Sequence, residues 1–271
     1  MQIDGFSQEQ IEIAIKEVSK KDLVKPLPKA NDHSKPTLYI FRHGQSEDNK
    51  EFLFSGWRNP NISDLGREQA ETLADKLADA HFDLAISSNL NRARQTLEIV
   101  LAKNKSWSNN KFPTTTDKYQ DEVLTMHLAK LGNIESAYPK PNSTPDDKKY
   151  KNLQEIVKIV LDDRVIERSY GDLQGTSKVE LHLKDPASED KYRRGYDSTA
   201  TNGESLKMVE IRAKLFLDEL LPYMKEKGIS VVVSCHSNSM RAVRRFMENL
   251  TIEEMCRLEN PTGVDYASYN I

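Results

Sequence analysis

The sequence predicts an α/β fold, a three-layer sandwich in which a mostly parallel sheet carries helices on both faces. Strand-like and helix-like segments alternate along most of the chain, the pattern of a sheet covered on both sides. The run "TLYIF" (37–41) is apolar without alternation, as in a strand buried on both faces, and "ISVVVSC" (229–235) is the most β-like run in the chain. At 271 residues the chain is long enough for a well-buried core.

Taken in order, residues 7–20 suit a short helix with Ile11, Ile15 and Val18 on one face. The proline-rich stretch "VKPLPKANDHSKP" (24–36) reads as a linker. Residues 1–36 are therefore expected to be an arm and linker outside the core, and 37–271 the main domain. After the first strand, residues 63–80 form a helix capped by Ser63, with Ala70, Leu73, Ala74 and Leu77 on one stripe. Next come a strand at 82–88 and a helix at 89–103. The stretch 104–162 is expected to be an insertion: "NKSWSNNKFPTTTDKYQDE" and "YPKPNSTPDDKKYKN" are polar and turn-rich, "VLTMHLAKL" between them reads as one helix, and "LQEIVKIVLDD" returns to apolar order. A long helix over 203–228 ends at Gly228, a good C-cap. A helix at 239–250 follows the strand 229–235, and "DYASYNI" (265–271) is a last strand.

Composition narrows the function. The formal charge of −3 offers no global field for nucleic acid, so an anion site must come from local clusters of Arg and Lys. No run approaches the roughly 18 apolar residues of a membrane span. The N-terminus lacks the basic start and apolar block of a signal peptide, so a cytoplasmic location is expected. Cys235 and Cys256 make neither a disulfide framework nor a zinc spacing, and Cys235, ending an apolar strand, is expected to be a packed thiol.

Two strands end alike. "LYIF" runs into Arg42-His43-Gly44, and "VVVSC" runs into His236-Ser237-Asn238. In open α/β sheets, ligands bind outside the carboxyl ends of the strands. If these strands are parallel neighbours, His43 and His236 meet at one edge. His33, His81, His127 and His182 fall in linkers or on helix surfaces and are read as incidental. Arg92 lies in the first turn of a helix, where it opposes the helix dipole, and this suggests a bound anion there. Arg94 reads as a solvated helix charge. Lys178 and the adjacent Arg193 and Arg194 are candidates for a clamp on a second anionic group, since a guanidinium fork matches phosphate or carboxylate oxygens. Glu167 could be a proton shuttle or an ion-pair partner of these arginines; position in sequence does not separate the two.

The segments "RHGQSEDNKEFLFSGWRNPNISDLG", "SNLNRARQTL", "ERSYGDLQGTSK", "YRRGYD", "GESL", "CHSNSMRAV" and "NPTGV" occur in that order. Together they resemble the histidine phosphatase superfamily, most nearly its cofactor-dependent phosphoglycerate mutase branch, over about 37–103 and 163–270. The resemblance implies a phosphoglycerate mutase-like fold and a metal-free reaction through a phosphohistidine. It implies His43 as the nucleophile, Arg42 and Arg92 as ligands of the transferring phosphoryl group, His236 as transition-state stabiliser and Glu167 as acid–base group. Asn49, Ser55 and Gly56 would contact the phosphate and substrate, and Asn238 matches the asparagine after the second histidine. Tyr170, Lys178, Arg193 and Arg194 match contacts to the substrate carboxylate and second phosphate. The cofactor implied is 2,3-bisphosphoglycerate, which primes the phosphoenzyme, with no metal.

Three departures stand out. Asp48 replaces a usual aromatic, Ser237 replaces a common glycine, and the sequence stops at Ile271, soon after "NPTGV", where mutases carry a longer tail. Hydrolysis is therefore expected to compete with transfer. The expected function is interconversion of 3-phosphoglycerate and 2-phosphoglycerate in glycolysis and gluconeogenesis. The alternative is a phosphatase acting on a small phosphorylated metabolite by the same chemistry. A catalytically silent binding module is disfavoured, because no expected catalytic residue is missing. The partner is a small phosphorylated molecule, with no nucleic acid and no membrane, and a homo-oligomer is left open.

Overall fold

Leu38 and Ile40 pack into one apolar cluster while Phe41 packs into another. This alternation along a single strand places a core on each face of the sheet and so creates the three layers. The computed structural model describes residues 1–20, 22–32, 34–109 and 159–271. The strand is β2 (Thr37–Arg42), after the two-residue β1 (Leu23–Val24). With β3 (Leu84–Ser87), β4 (Val160–Leu161), β5 (Val231–Cys235) and β7 (Ala267–Asn270) it makes a five-stranded sheet in the order β4-β3-β5-β2-β7. All neighbours are parallel except β7, which runs antiparallel to β2.

One face is covered by α3 (Asp64–Leu77) and α4 (Asn91–Lys103). Leu73, Ala74, Leu77, Leu97, Val100 and Leu101 pack there on Phe41, Ala85 and Val232. The other face is covered by α8 (Leu206–Lys227) and α9 (Ser237–Glu248), which bring Leu206, Val209, Phe216 and Val243 onto Leu38, Ile86 and Val231. Each of these large side chains contributes roughly 1.5–3 kcal/mol by leaving water. The helix limits follow from their caps. Ser63 accepts a hydrogen bond from Gly66 N at 3.1 Å, and Ser205 accepts one from Met208 N at 3.2 Å. Gly228 ends α8 at φ +67°, a left-handed conformation that costs glycine little.

The first 36 residues are docked along much of their length. Helix α1 (Gln8–Ser19) buries Ile11, Ala14 and Val18, and Ile11 and Ala14 join Val179 of α6 (Lys178–Lys184) in a third cluster. Ala14, rather than the expected Ile15, completes the buried face, since Ile15 is only partly covered. Strand β1 pairs in parallel with β6 (Leu258–Glu259). The proline-rich stretch beyond it is held to β7: Ser268 N donates to the Pro28 carbonyl at 2.9 Å, and Asn270 Nδ2 donates to the Asp32 carbonyl at 2.8 Å.

Both ends of the expected insertion at 104–162 belong to the core. Asn104 is fully buried, Trp107 of the short helix α5 (Lys105–Asn109) packs with Phe41 and Leu97, and Val160 enters the sheet as β4. Polar neighbours hid Trp107, whereas Val160 lies in the apolar run Ile159-Val160-Leu161, which the expected boundary at 162 placed outside the core. The helix expected within "VLTMHLAKL", and His33 and His127, lie outside the described residues. The remaining helices are α2 (Glu47–Lys50), α7 (Pro186–Arg194) and α10 (Ile252–Arg257). Among the described residues no helix is long and apolar enough to cross a membrane.

Candidate active site

The parallel pairing of β2 with β5 puts Arg42 opposite Cys235, so the next residue of each strand is a histidine. The His43 and His236 rings lie edge-on with centroids 5.0 Å apart, and both are buried. The glycine of Arg-His-Gly has a packing reason. A Cβ on Gly44 would stand 2.3 Å from the Gly66 carbonyl oxygen, so only glycine lets the turn meet the start of α3 this closely.

His43 Nδ1 lies 2.6 Å from the Gly44 carbonyl oxygen, which can only accept. Nδ1 therefore carries the proton, and Nε2 presents its lone pair. Arg92 Nε donates to that Nε2 at 3.2 Å. The terminal nitrogens of Arg92 are fixed by the Arg58 carbonyl at 2.8 Å and the Gly56 carbonyl at 2.7 Å. Burial, reinforced by the Arg92 and Arg42 charges, holds the His43 pKa well below the ordinary imidazole value, so the ring is neutral near pH 7. Burial and the Arg92 charge do the same to His236. Ser88 Oγ lies 2.7 Å from His236 Nε2, and His236 Nδ1 is buried with no partner among the described residues.

A cavity of about 130 Å³ opens beside His43. Every predicted site residue except His236 lines it: Arg42, His43, Arg92 and Glu167 with Asn49, Ser55, Gly56, Tyr170, Lys178, Arg193, Arg194 and Asn238. Arg42 Nε and Ser55 Oγ are buried without partners among the described residues. Unmet donors of this kind around a cationic cavity fit a phosphoryl group, whose oxygens only accept. Burial lowers the Arg42 and Arg92 pKa values, that of Arg92 to about 10. Lys178 is lowered to about 7, first by burial and then by the Arg193 and Arg42 charges. It begins α6, where it opposes the helix dipole as Arg92 does in α4.

Glu167 is held by donors. Its Oε1 accepts from Arg168 N at 2.8 Å, Asn238 Nδ2 at 2.9 Å and Asn238 N at 3.2 Å. Asn238 Nδ2 also reaches Tyr170 Oη at 3.3 Å. Asn49 Oδ1 accepts from Ser46 N at 3.2 Å in a capping box that closes α2. The outer arginines are partly balanced already. Arg193 pairs with Glu189 at 2.6 Å, and Arg194 pairs with Asp22 at 3.0 Å and with Glu259.

The sequence reading assigned no role to Ser237, Arg241 or Glu259, which also line the cavity. Arg241 lies one helical turn after Asn238 and donates to its Oδ1 at 3.2 Å, so the i, i+3 spacing was the available signal. Glu259 arrives on β6 and left no local mark. The departure at Asp48 has a local account, since Asp48 is buried and bonds Arg58 Nε at 2.9 Å, next to the carbonyl that orients Arg92. Cys235 is packed as expected. Its Sγ lies 3.4 Å from the Phe41 carbonyl, and burial pushes its pKa far up.

The model of the histidine phosphatase superfamily (branch 1) matches residues 38–118 and 149–271. The chain belongs to the histidine phosphatase superfamily. Among curated relatives, a 2,3-bisphosphoglycerate-dependent phosphoglycerate mutase of Methanococcus vannielii is 33% identical over 237 residues, covering 86% of this chain and 90% of that one. A phosphoglycerate mutase of Schizosaccharomyces pombe is 30% identical, covering 84% and 86%. Among solved structures, a mycobacterial glucosyl-3-phosphoglycerate phosphatase superposes with TM-score 0.61 at 19% identity, covering 86% and 92%. A putative alpha-ribazole-5'-P phosphatase of Escherichia coli superposes with TM-score 0.59 at 18% identity, covering 87% and 91%. At such identities the two structures speak for the fold alone. The chain therefore shares its fold with proteins named as phosphatases and its higher sequence identity with proteins named as mutases.

Proposed function

We propose that the protein is a 2,3-bisphosphoglycerate-dependent phosphoglycerate mutase that interconverts 3-phosphoglycerate and 2-phosphoglycerate through a phosphohistidine on His43. The observation that carries this reading is a second group of cations, Lys178, Arg193 and Arg194, on the same cavity as the His43–Arg92 pair. A hydrolase needs to hold only the phosphoryl group. A mutase must also hold the rest of a compact, doubly anionic molecule while the phosphoryl group changes position. Sequence similarity to proteins named as mutases supports the same reading.

In this mechanism the phosphorylated His43 first gives its phosphoryl group to the free hydroxyl of 3-phosphoglycerate: the P–O bond forms as the N–P bond breaks, and Glu167 takes up the hydroxyl proton. Arg42, Arg92 and His236 meet the charge of the transferring group with fixed donors, which takes the place of a metal. In the second step His43 Nε2 attacks the phosphorus at position 3 of the bisphosphorylated intermediate, the bond to the substrate oxygen breaks, Glu167 returns the proton to that oxygen, and 2-phosphoglycerate leaves the restored phosphohistidine. 2,3-Bisphosphoglycerate would supply the first phosphoryl group, and the cation set that binds phosphoglycerate would hold it. The setting is glycolysis and gluconeogenesis in the cytoplasm.

The test is 31P NMR of the protein with 3-phosphoglycerate, a trace of 2,3-bisphosphoglycerate and EDTA. The expected product is 2-phosphoglycerate. Inorganic phosphate as sole product would replace the mutase with a phosphatase, and silence caused by EDTA would refute the metal-free chemistry.

A further inference from the structure

Arg194 ends α7 and lines the cavity, with only 5% of its side chain exposed. Its neighbour Arg193 is held from within the helix, by Glu189 one turn earlier. Arg194 is held from two remote segments instead. Asp22 Oδ2 of the arm pairs with its Nε at 3.0 Å, and Glu259 of β6 accepts a hydrogen bond from its Nη2. A planar guanidinium gripped at two of its nitrogens is fixed in direction, and its other donors stay available. Glu259 also pairs with Arg241 at 3.4 Å, and Arg241 donates to Asn238, which in turn donates to Glu167.

One ladder places both acids. β1 pairs in parallel with β6, with Leu23 opposite Leu258 and Val24 opposite Glu259. Asp22 immediately precedes these pairs, so the ladder that holds Glu259 also sets where Asp22 meets α7. The arm does not need Asp22 for its own place. Its Ile11 and Ala14 pack on Val179, and its Lys25 pairs with Glu254 at 2.5 Å. Asp22 also reaches Arg257 at 3.5 Å, but Asp190 already holds that arginine at 2.7 Å. An unrestrained arginine gives up rotamer freedom when it meets a ligand, whereas one fixed beforehand has already done so.

We propose that Asp22, which precedes the family match that begins at residue 38, is a positioning residue for Arg194 and through it strengthens the hold on the second anionic group of the substrate. The proposal rests on the phosphohistidine reading above, with Arg194 as a contact of that second group. Asp22 is not among the residues that line the cavity, so its effect on a ligand runs through Arg194.

The experiment labels His43 with two donors. 2,3-Bisphosphoglycerate carries anionic groups for both cation sets, whereas acetyl phosphate offers a phosphoryl group alone. Asp22→Ala should raise the half-saturating concentration of 2,3-bisphosphoglycerate roughly three- to tenfold and leave the labelling rate at saturation within about twofold. Labelling by acetyl phosphate should change by less than about twofold. In an Arg194→Ala background, Asp22→Ala should add less than about twofold, because residues that act through one contact are not additive. An equal fall with both donors overturns the proposal, since it marks a general loss of structure. A tighter hold on 2,3-bisphosphoglycerate also overturns it, since Asp22 would then be a competing counter-charge. So does a full Asp22→Ala effect that persists without Arg194. If Arg194→Ala weakens 2,3-bisphosphoglycerate and Asp22→Ala does not, this inference fails and the proposed function stands. If Arg194→Ala leaves that donor unaffected, the second-group contact fails and the inference with it. If neither donor labels His43 in the unmodified protein, the phosphohistidine reading is refuted together with the inference.

Discussion

Arg92 donates its Nε hydrogen to His43 Nε2 at 3.2 Å while two backbone carbonyls hold its terminal nitrogens. The arginine is thus set against the lone pair that would attack phosphorus, at the place where charge develops. Lysine cannot reproduce three fixed donors. Arg92→Lys should slow phosphoenzyme formation about 10²–10³-fold, the usual loss for a preorganised charge-stabilising donor. Rapid-quench labelling measures this, with circular dichroism as a check on folding. A loss below tenfold would show that the contact is structural.

Glu167→Gln keeps an oxygen for Arg168 N and Asn238 but removes the carboxylate that exchanges protons. Transfer should fall by about 10²–10⁴-fold, with substrate affinity changed only a few-fold. Single-turnover rates and calorimetric binding separate the two effects. A pure affinity defect would return Glu167 to the role of an ion-pair partner.

Lys178 sets a pH dependence on anion binding. In the free protein its pKa is lowered to about 7, so it is charged below that pH and largely neutral above it. A bound anion favours the charged form and raises the pKa. Affinity is therefore greatest below about pH 7 and weakens as pH rises through the interval between the free and bound values. Within the interval, binding takes up a proton. Titration calorimetry at pH 7.5 in buffers of different ionisation enthalpy should detect the uptake, and Lys178→Met should abolish it. An uptake of zero in the unmodified protein would refute the assignment. On the acid side, the His43 ring should keep the NMR shifts of a neutral imidazole below the pH at which an ordinary histidine titrates, about 6.5.

Gly66 tests the close approach behind the histidine. An added Cβ would lie 2.0 Å from the Gln45 carbonyl oxygen, so Gly66→Ala should cost about 1–3 kcal/mol and lower Tm by several degrees. By contrast Lys214→Ala, which breaks an exposed pair with Asp218, should change stability by less than about 0.5 kcal/mol. Similar melting curves for the two variants would mean that the turn relaxes around the extra methyl.

Much of the scaffold was legible because its signals are local. Ser63 marks the start of α3 and Gly228 the end of α8 through groups within one turn of each. The paired endings at His43 and His236 were visible because strand ends carry their own sequence context. Arg241 and Glu259 were not seen as site residues, since their place depends on how α9 and β6 fold back over the cavity. The stretch 104–162 misled at both ends, because Trp107 is a single apolar residue in polar surroundings and because the boundary at 162 left the apolar run around Val160 outside the core.

By itself the sequence determined the alternation of strand and helix, the apolar runs, the caps and the residue types able to bind and transfer a phosphoryl group. Those depend on steric and hydrogen-bonding preferences that act over a few residues. Only the tertiary structure decided that β2 and β5 pair in parallel at a register that joins the histidines. It also decided that burial keeps both rings neutral and brings Lys178 to about 7, and that the N-terminal arm reaches Arg194 through Asp22. Each of these depends on distance, desolvation and charge between segments far apart in the chain, which neighbouring residues do not encode.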